Sequence, residues 1–137
     1  AKSNGDSITV NGVCNHYQDV KSLSSEFIIT EGAGGWRLPL GNGDYLSSFV
    51  KKENLDVILI VDMKLGCLNH ATLTYESIIN DGLNVIAWVA NSIAPMNYLE
   101  ENIQLLKETI NAPLLARIGH VVNTDAAVEL FDLELLN

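Results

Sequence analysis

The sequence predicts an α/β protein in which helices flank a parallel β-sheet, giving a three-layer, Rossmann-like arrangement. Short apolar runs alternate along the chain with stretches whose apolar residues recur at helical spacing. The first three runs are continuously apolar, which is typical of strands buried on both faces of a sheet. Strands and helices that alternate at this spacing favour right-handed crossovers between parallel strands.

Four strands are predicted from the apolar runs. The second run is rich in β-branched residues, which fit a pleated and buried surface. The runs cover residues 27–30, 57–61, 85–90 and 114–118. All four are far shorter than the ~20 apolar residues that a membrane-spanning helix needs, so no membrane span is expected.

Five helices are predicted between and after these strands, over residues 9–23, 45–53, 69–80, 98–110 and 125–131. The fourth has the clearest pattern, because its apolar residues recur at i, i+4, i+7 and i+11. Those residues are Leu99, Ile103, Leu106 and Ile110. Asn69 has the side chain and the position expected of an N-cap for the third helix.

The composition of the 137 residues predicts one folded domain. Hydrophobic residues make up 47% and charged residues 18%, which is enough apolar material for a core and too little charge for a disordered chain. The net charge of −9 argues against nucleic acid and anionic membranes as partners. Cys14 and Cys67 lack a metal-binding or redox spacing, and the N-terminus lacks a signal-peptide pattern, so a reduced cytoplasmic location is expected.

Polar residues or glycine follow each predicted strand. They are Glu31, Asp62, Asn91 and Gly119. Ligands of open parallel sheets bind at the carboxyl ends of the strands, so these residues mark the expected functional edge.

Glu31 opens a glycine-rich stretch, Glu31-Gly-Ala-Gly-Gly. Glycines allow the backbone to approach a ligand closely, and a carboxylate at a strand end can hold Mg²⁺. The alternative is an ordinary turn with a solvated carboxylate, and the spacing alone favours neither. No GxxxxGK[ST] motif occurs in the sequence, so the usual phosphate cradle of nucleotide-binding proteins is not encoded in these residues.

Two further places offer binding chemistry. The loop from Lys64 to His70 leads into a helix whose free N–H groups suit an anion, although an ordinary capped loop is the more common arrangement. The Asn91 amide offers a donor and an acceptor that match an adenine edge, although asparagine more often ends a strand in a turn. Cys67 is expected to be a small packing residue rather than a reactive thiol.

Four motifs in this order and spacing resemble the dethiobiotin synthase family. They are Glu31-Gly-Ala-Gly-Gly-Trp36 followed by Leu38-Pro39-Leu40, then Lys64-Leu-Gly-Cys-Leu-Asn-His70, Trp88-Val-Ala-Asn91 and Ala112-Pro-Leu-Leu115. The first motif alone is weak, because related amidoligases share similar turns. The second and third together are far more specific.

The resemblance implies a P-loop NTPase-like fold and a ligase of biotin biosynthesis. The family closes a cyclic urea from 7,8-diaminononanoate and CO₂ with MgATP, and it yields dethiobiotin, ADP and phosphate. A substrate carbamate is phosphorylated, and the second amine attacks the mixed anhydride. The resemblance also implies a cytoplasmic homodimer.

The resemblance assigns binding roles but no catalytic residue in this segment. Glu31 matches the Mg²⁺-linked carboxylate. The positions that match the ATP site are Glu31, Gly32, Ala33, Gly34, Asn91, Ser92, Gly119, His120 and Val121. The positions that match the helix start receiving the substrate carboxylate across the dimer interface are Gly66, Cys67, Leu68 and Asn69. Lys64 matches a family lysine with no role assigned.

The family's P-loop, catalytic lysine and second Mg²⁺ carboxylate would precede this segment, in the same parent chain or in a separate one. We therefore expect residues 1–137 to be the C-terminal portion of a single dethiobiotin synthase-like domain, without turnover on its own. One alternative is a non-catalytic dimerisation or regulatory relative without the P-loop. Another is a cobyrinate-type ATP-dependent amidoligase, against which the KLGCLNH motif counts.

Overall fold

The chain divides into two units, Ala1–Leu55 and Asp56–Asn137, and a computed structural model describes residues 7–136. The first unit contains helix α1 (Val10–Lys21), a short hairpin of β1 (Pro39–Gly41) and β2 (Asp44–Tyr45), and helix α2 (Ser47–Glu53). The second contains the sheet and the remaining helices. Both helices of the first unit are predicted from the sequence, although α2 begins two residues later than predicted.

Side chains of α1 contact side chains of α2. The hydroxyl of Thr9 caps α1 by accepting a hydrogen bond of 3.1 Å from the Gly12 N–H. The rings of Tyr17 and Phe49 meet edge to face with centroids 5.4 Å apart, a favourable arrangement for aromatic pairs. The Gln18 amide donates to the Glu53 carboxylate at 2.6 Å, which adds a polar contact beside the aromatic one.

The strand predicted over residues 27–30 is wrong. Phe27 and Ile29 are 80% and 93% exposed, and among residues 7–136 no other segment pairs with this run. A strand is held by the hydrogen bonds of its neighbour, so an apolar run without a neighbouring strand stays irregular whatever its β-propensity.

The second unit is built on a parallel sheet in the order β3-β4-β5, with β3 at Val57–Asp62, β4 at Val85–Asn91 and β5 at Leu114–Ile118. Helix α3 (Cys67–Asn80) connects β3 to β4, and helix α4 (Leu99–Thr109) connects β4 to β5. This alternation confirms the predicted α/β fold with a parallel sheet and flanking helices.

Burial differs between the edge strand and the central strand. Ile58 and Ile60 of β3 are 40% and 57% exposed, while Leu59 and Val61 between them are buried. The prediction that this run is buried on both faces is therefore wrong for β3. It is confirmed for β4, where residues 87–90 are all buried. A central strand has neighbours on both sides, and helices and the C-terminal segment cover it.

One part of the core forms between β4, β5 and the end of the described chain. Ala87, Val89, Leu115 and Ala116 are buried together, and Phe131 packs against them. An isolated bridge pairs Ala116 with Phe131, which anchors the last turns to the sheet. A short 3₁₀ helix, Leu133–Leu136, follows.

Three helix starts or ends differ from those predicted. Helix α3 begins at Cys67 with Gly66 as its N-cap, so Asn69 lies inside the first turn and does not cap the helix. Helix α2 begins at Ser47, because Tyr45, the first residue of the predicted helix, belongs to β2 and Leu46 is the N-cap. Helix α5 (Thr124–Val128) ends early, since the chain then turns to make its bridge with β5.

None of the helices described within residues 7–136 has the length and apolar character required to cross a membrane.

Leu106 gives a direct test of the packing of α4. Its side chain is 1% exposed, so Leu106→Ala should lower the free energy of unfolding by about 2–5 kcal/mol through lost burial and a cavity. Leu105→Ala on the same helix is the matched control, because that side chain is 48% exposed and its loss should cost about 0.5 kcal/mol. Urea denaturation measures both; equal losses would contradict the assigned face of the helix.

Candidate functional site

The carboxyl ends of the three parallel strands lie side by side. Asp62 is the register partner of Asn91, and Asn91 is the register partner of Ile118. The Met63 N–H donates to the Asn91 carbonyl at 2.7 Å, and the Ser92 N–H donates to the Ile118 carbonyl at 2.6 Å. These bonds continue the pairing to the last residue of each strand, so the strand ends form one edge.

The pleat divides the residues at this edge between the two faces of the sheet. Register partners in a parallel pair point to the same side, so Asp62, Asn91 and Ile118 share one face. Arg117 pairs with Ala90 and therefore belongs to the opposite face. Asn91 lies on the central strand and is half-buried, which leaves its amide accessible at the edge.

The residues predicted around Asn91 are brought together by the sheet. Ser92 follows Asn91 directly, and Gly119 follows the last residue of β5. His120 is exposed and Val121 is half-buried in the segment that continues from Gly119. The adjacency of Asn91, Ser92 and Gly119 follows from the pairing of β4 with β5.

An ion pair between Lys64 and Asp62, which the sequence did not predict, lies at the same edge. The Lys64 ammonium lies 2.6 Å from an Asp62 carboxylate oxygen, and both side chains are about half-exposed or more. The Asp62 carboxylate raises the pKa of Lys64, first through this hydrogen bond and second through its charge. Side chains two residues apart can form an ion pair where a strand ends, but their spacing in the sequence does not predict it.

The start of α3 follows Lys64 in the chain. Gly66 has a φ of +89°, a left-handed conformation that glycine adopts without strain. Among the residues that the structure describes, no side chain caps this helix. The Cys67 N–H donates to the Lys64 carbonyl at 2.9 Å, so the N–H groups available to an anion are those that follow it in the first turn. Cys67 is buried, as expected of a packing residue, Leu68 is half-buried and Asn69 is exposed.

Glu31 and its glycines lie in the first unit. Glu31 lines a groove of about 330 Å³ together with His16 and Thr30. Gly34 has a φ of +68°, and a Cβ there would lie 3.1 Å from a methyl group of Leu38, so both backbone and space favour glycine. Gly32 and Ala33 are exposed on the same loop.

A search of protein-family models matches residues 1–127 to a family described as an AAA domain. The chain belongs to this family. AAA domains are P-loop NTPase-like α/β proteins, in agreement with the fold class predicted from the sequence.

Three of the similar curated proteins are named ATP-dependent dethiobiotin synthetase. Those of Tolumonas auensis, Pseudoalteromonas translucida and Aeromonas salmonicida are 45%, 46% and 43% identical to this chain. The alignments cover 77%, 85% and 86% of this chain and 47%, 52% and 53% of those proteins. The resemblance to dethiobiotin synthases is thereby confirmed, and the chain spans about half the length of the curated relatives it matches.

The Asp62–Lys64 pair predicts how the pKa of Lys64 should respond to the loss of Asp62. Because the pKa of Lys64 is raised in the folded protein, the pair persists at neutral pH and is lost as the pH rises through that pKa. Asp62→Asn should lower the pKa of Lys64, measured by NMR titration of its side chain. Asp56→Asn, which precedes the other end of β3, is the matched control and should leave that titration unchanged; a fall in both variants would contradict the pairing.

Proposed function

We propose that the chain acts as part of an ATP-dependent dethiobiotin synthetase, a ligase that closes a cyclic urea from 7,8-diaminononanoate, CO₂ and ATP. The observation that carries the proposal is the edge formed by Asn91, Ser92 and Gly119, in a chain more than 40% identical to proteins of that name.

Asn91 reads the adenine base. Its amide carries both donor and acceptor groups, which match the alternating donor and acceptor on an adenine edge. The pairing of β4 with strands on both sides fixes the backbone of Asn91 at the edge where the strand ends. Ser92 lies beside it, and the segment from Gly119 to Val121 flanks the purine.

Glu31 is the candidate ligand for Mg²⁺, and its surroundings fit that ion. Mg²⁺ is usually held by one or two carboxylates together with water and phosphate oxygens, not by a cage of protein ligands. Glu31 is exposed beside a glycine-rich loop, so its carboxylate is open to a hydrated ion. When bound, Mg²⁺ would neutralise phosphate charge; Glu31 would hold it, and Gly32 to Gly34 would line the nucleotide.

The start of α3 receives the substrate carboxylate. Backbone N–H groups of an uncapped first turn, together with the positive end of the helix dipole, favour an anion there. The segment concerned runs from Gly66 to Asn69. In this proposal it acts across the interface of a homodimer in the cytoplasm.

The phosphate-binding loop is supplied by residues other than these 137, as part of a larger enzyme. The absence of a GxxxxGK[ST] motif and the coverage of about half of each relative support this division. Residues 1–137 then form the C-terminal portion of a single domain. The chemistry would depend on placing the carbamate and neutralising phosphate charge, for which a complete site is needed.

The test is an assay of the full-length protein that carries these residues. We expect dethiobiotin formation that requires ATP, CO₂, Mg²⁺ and 7,8-diaminononanoate together, with ADP and phosphate released. No dethiobiotin from a folded, full-length protein would instead favour a non-catalytic dimerisation or regulatory relative.

Glu31→Gln in that protein should reduce turnover at low Mg²⁺ by at least tenfold, because a neutral amide is a poor ligand for a hard cation. The thermal midpoint should change little, since Glu31 is exposed. Glu26→Gln, also exposed and five residues earlier, is the matched control and should behave as wild type. An unchanged Mg²⁺ dependence of Glu31→Gln would remove Glu31 from the site.

A further inference from the structure

The hairpin formed by β1 and β2 turns at an Asn-Gly pair, Asn42 and Gly43. Their φ angles are +54° and +86°, the left-handed values that a type I′ turn requires. Both residues are exposed, and a Cβ at Gly43 would meet no atom within 4 Å. Within residues 7–136, neither the Asn42 side chain nor the Gly43 N–H makes a hydrogen bond. These two groups are therefore held only by the turn itself.

A second Asn-Gly pair, Asn11 and Gly12, lies in the first turn of α1 and has different contacts. The Gly12 N–H donates to the hydroxyl of Thr9 at 3.1 Å. The side-chain oxygen of Asn11 accepts from the Lys52 ammonium at 2.8 Å. Both reactive groups of this pair are thus occupied by hydrogen bonds at a capped helix start. The third pair of the sequence, Asn4-Gly5, lies outside the described residues.

We propose that Asn42 is a site of spontaneous deamidation in the folded protein, and that the start of α1 protects Asn11 from the same reaction. The only co-reactant is water. An exposed turn allows the Asn42 side chain and the Gly43 nitrogen to approach each other, whereas the equivalent approach at Asn11 requires the first turn of α1 to open. The proposal stands whether or not the protein makes dethiobiotin.

The reaction converts the side-chain amide of Asn42 into a carboxylate in two steps. The Gly43 nitrogen forms a bond to Cγ of Asn42, the bond from Cγ to Nδ2 breaks, and the side-chain nitrogen leaves as ammonia with the proton of the Gly43 N–H. Glycine is the residue that hinders this attack least, because it has no side chain. Water then opens the cyclic imide at either carbonyl carbon, which gives aspartate or isoaspartate without any oxidation or reduction.

Either product changes the hairpin. Aspartate at position 42 places a second carboxylate two residues before Asp44, so like charges meet at the turn. Isoaspartate routes the backbone through the side chain and lengthens the loop by one methylene. A longer loop no longer matches the register that pairs Gly41 with Asp44, so the pairing of β1 with β2 should weaken.

The test incubates the full-length protein that carries these residues in mildly alkaline buffer and follows deamidation by peptide mass spectrometry, with fragment ions locating the modified residue. Asn42 should react at least about tenfold faster than Asn11, because only Asn11 requires the helix to open. The rate at Asn42 should rise with pH, since the Gly43 nitrogen attacks after losing its proton. In guanidinium chloride, which unfolds the chain, the two positions should react at similar rates. Equal rates in the folded protein, or an unmodified Asn42 there, would overturn the proposal.

A variant of the helix cap tests the protection of Asn11. Thr9→Ala removes the acceptor of the Gly12 N–H and should speed deamidation at Asn11 by about two- to thirtyfold, the factor that corresponds to the loss of an N-cap. Asn42 should react at its original rate in this variant. Thr109→Ala, which removes a hydroxyl from the end of α4, is the matched control and should leave both rates unchanged. An unchanged rate at Asn11 in Thr9→Ala, or an equal rise at Asn42, would show the proposal to be wrong.

Discussion

The in-register pairing of three parallel strands is the constraint on which the rest of the second unit depends. Because Asp62, Asn91 and Ile118 are aligned across β3, β4 and β5, the three following loops emerge at one edge. The hydrogen bonds from Met63 and Ser92 extend this alignment to the last residue of each strand. A one-residue slip of β4 would turn Asn91 to the other face and bring Ala90 or Ser92 into its place.

The same pairing explains why one edge can carry two different chemistries. Alternation along β4 and β5 places Asn91 on one face of the sheet and Arg117 on the other. The first offers matched donors and acceptors, and the second offers a fixed positive charge beside aliphatic side chains.

The sequence predicted those parts of the fold that depend on local pattern. The three strands of the sheet and helix α4 lie where apolar periodicity placed them, and Asn91 and Gly119 follow their strands as expected. The strand predicted at residues 27–30 was wrong, because a strand requires a neighbouring strand and composition does not reveal whether one is present. The prediction that Asn69 caps α3 was wrong, because Gly66 takes a left-handed conformation and the helix already begins at Cys67. The pairs of Lys64 with Asp62 and of Arg117 with Glu100 depend on side-chain directions across turns and between elements, and residue spacing does not encode these.

The central claim is that the base of ATP lies against the ends of β4 and β5. Photolabelling of the full-length protein that carries these residues with 8-azido-ATP, followed by peptide mass spectrometry, tests it most directly. The account predicts label on residues 91–92 or 119–121, with labelling suppressed by excess ATP. ATP-protected label confined to peptides outside these two segments would contradict it.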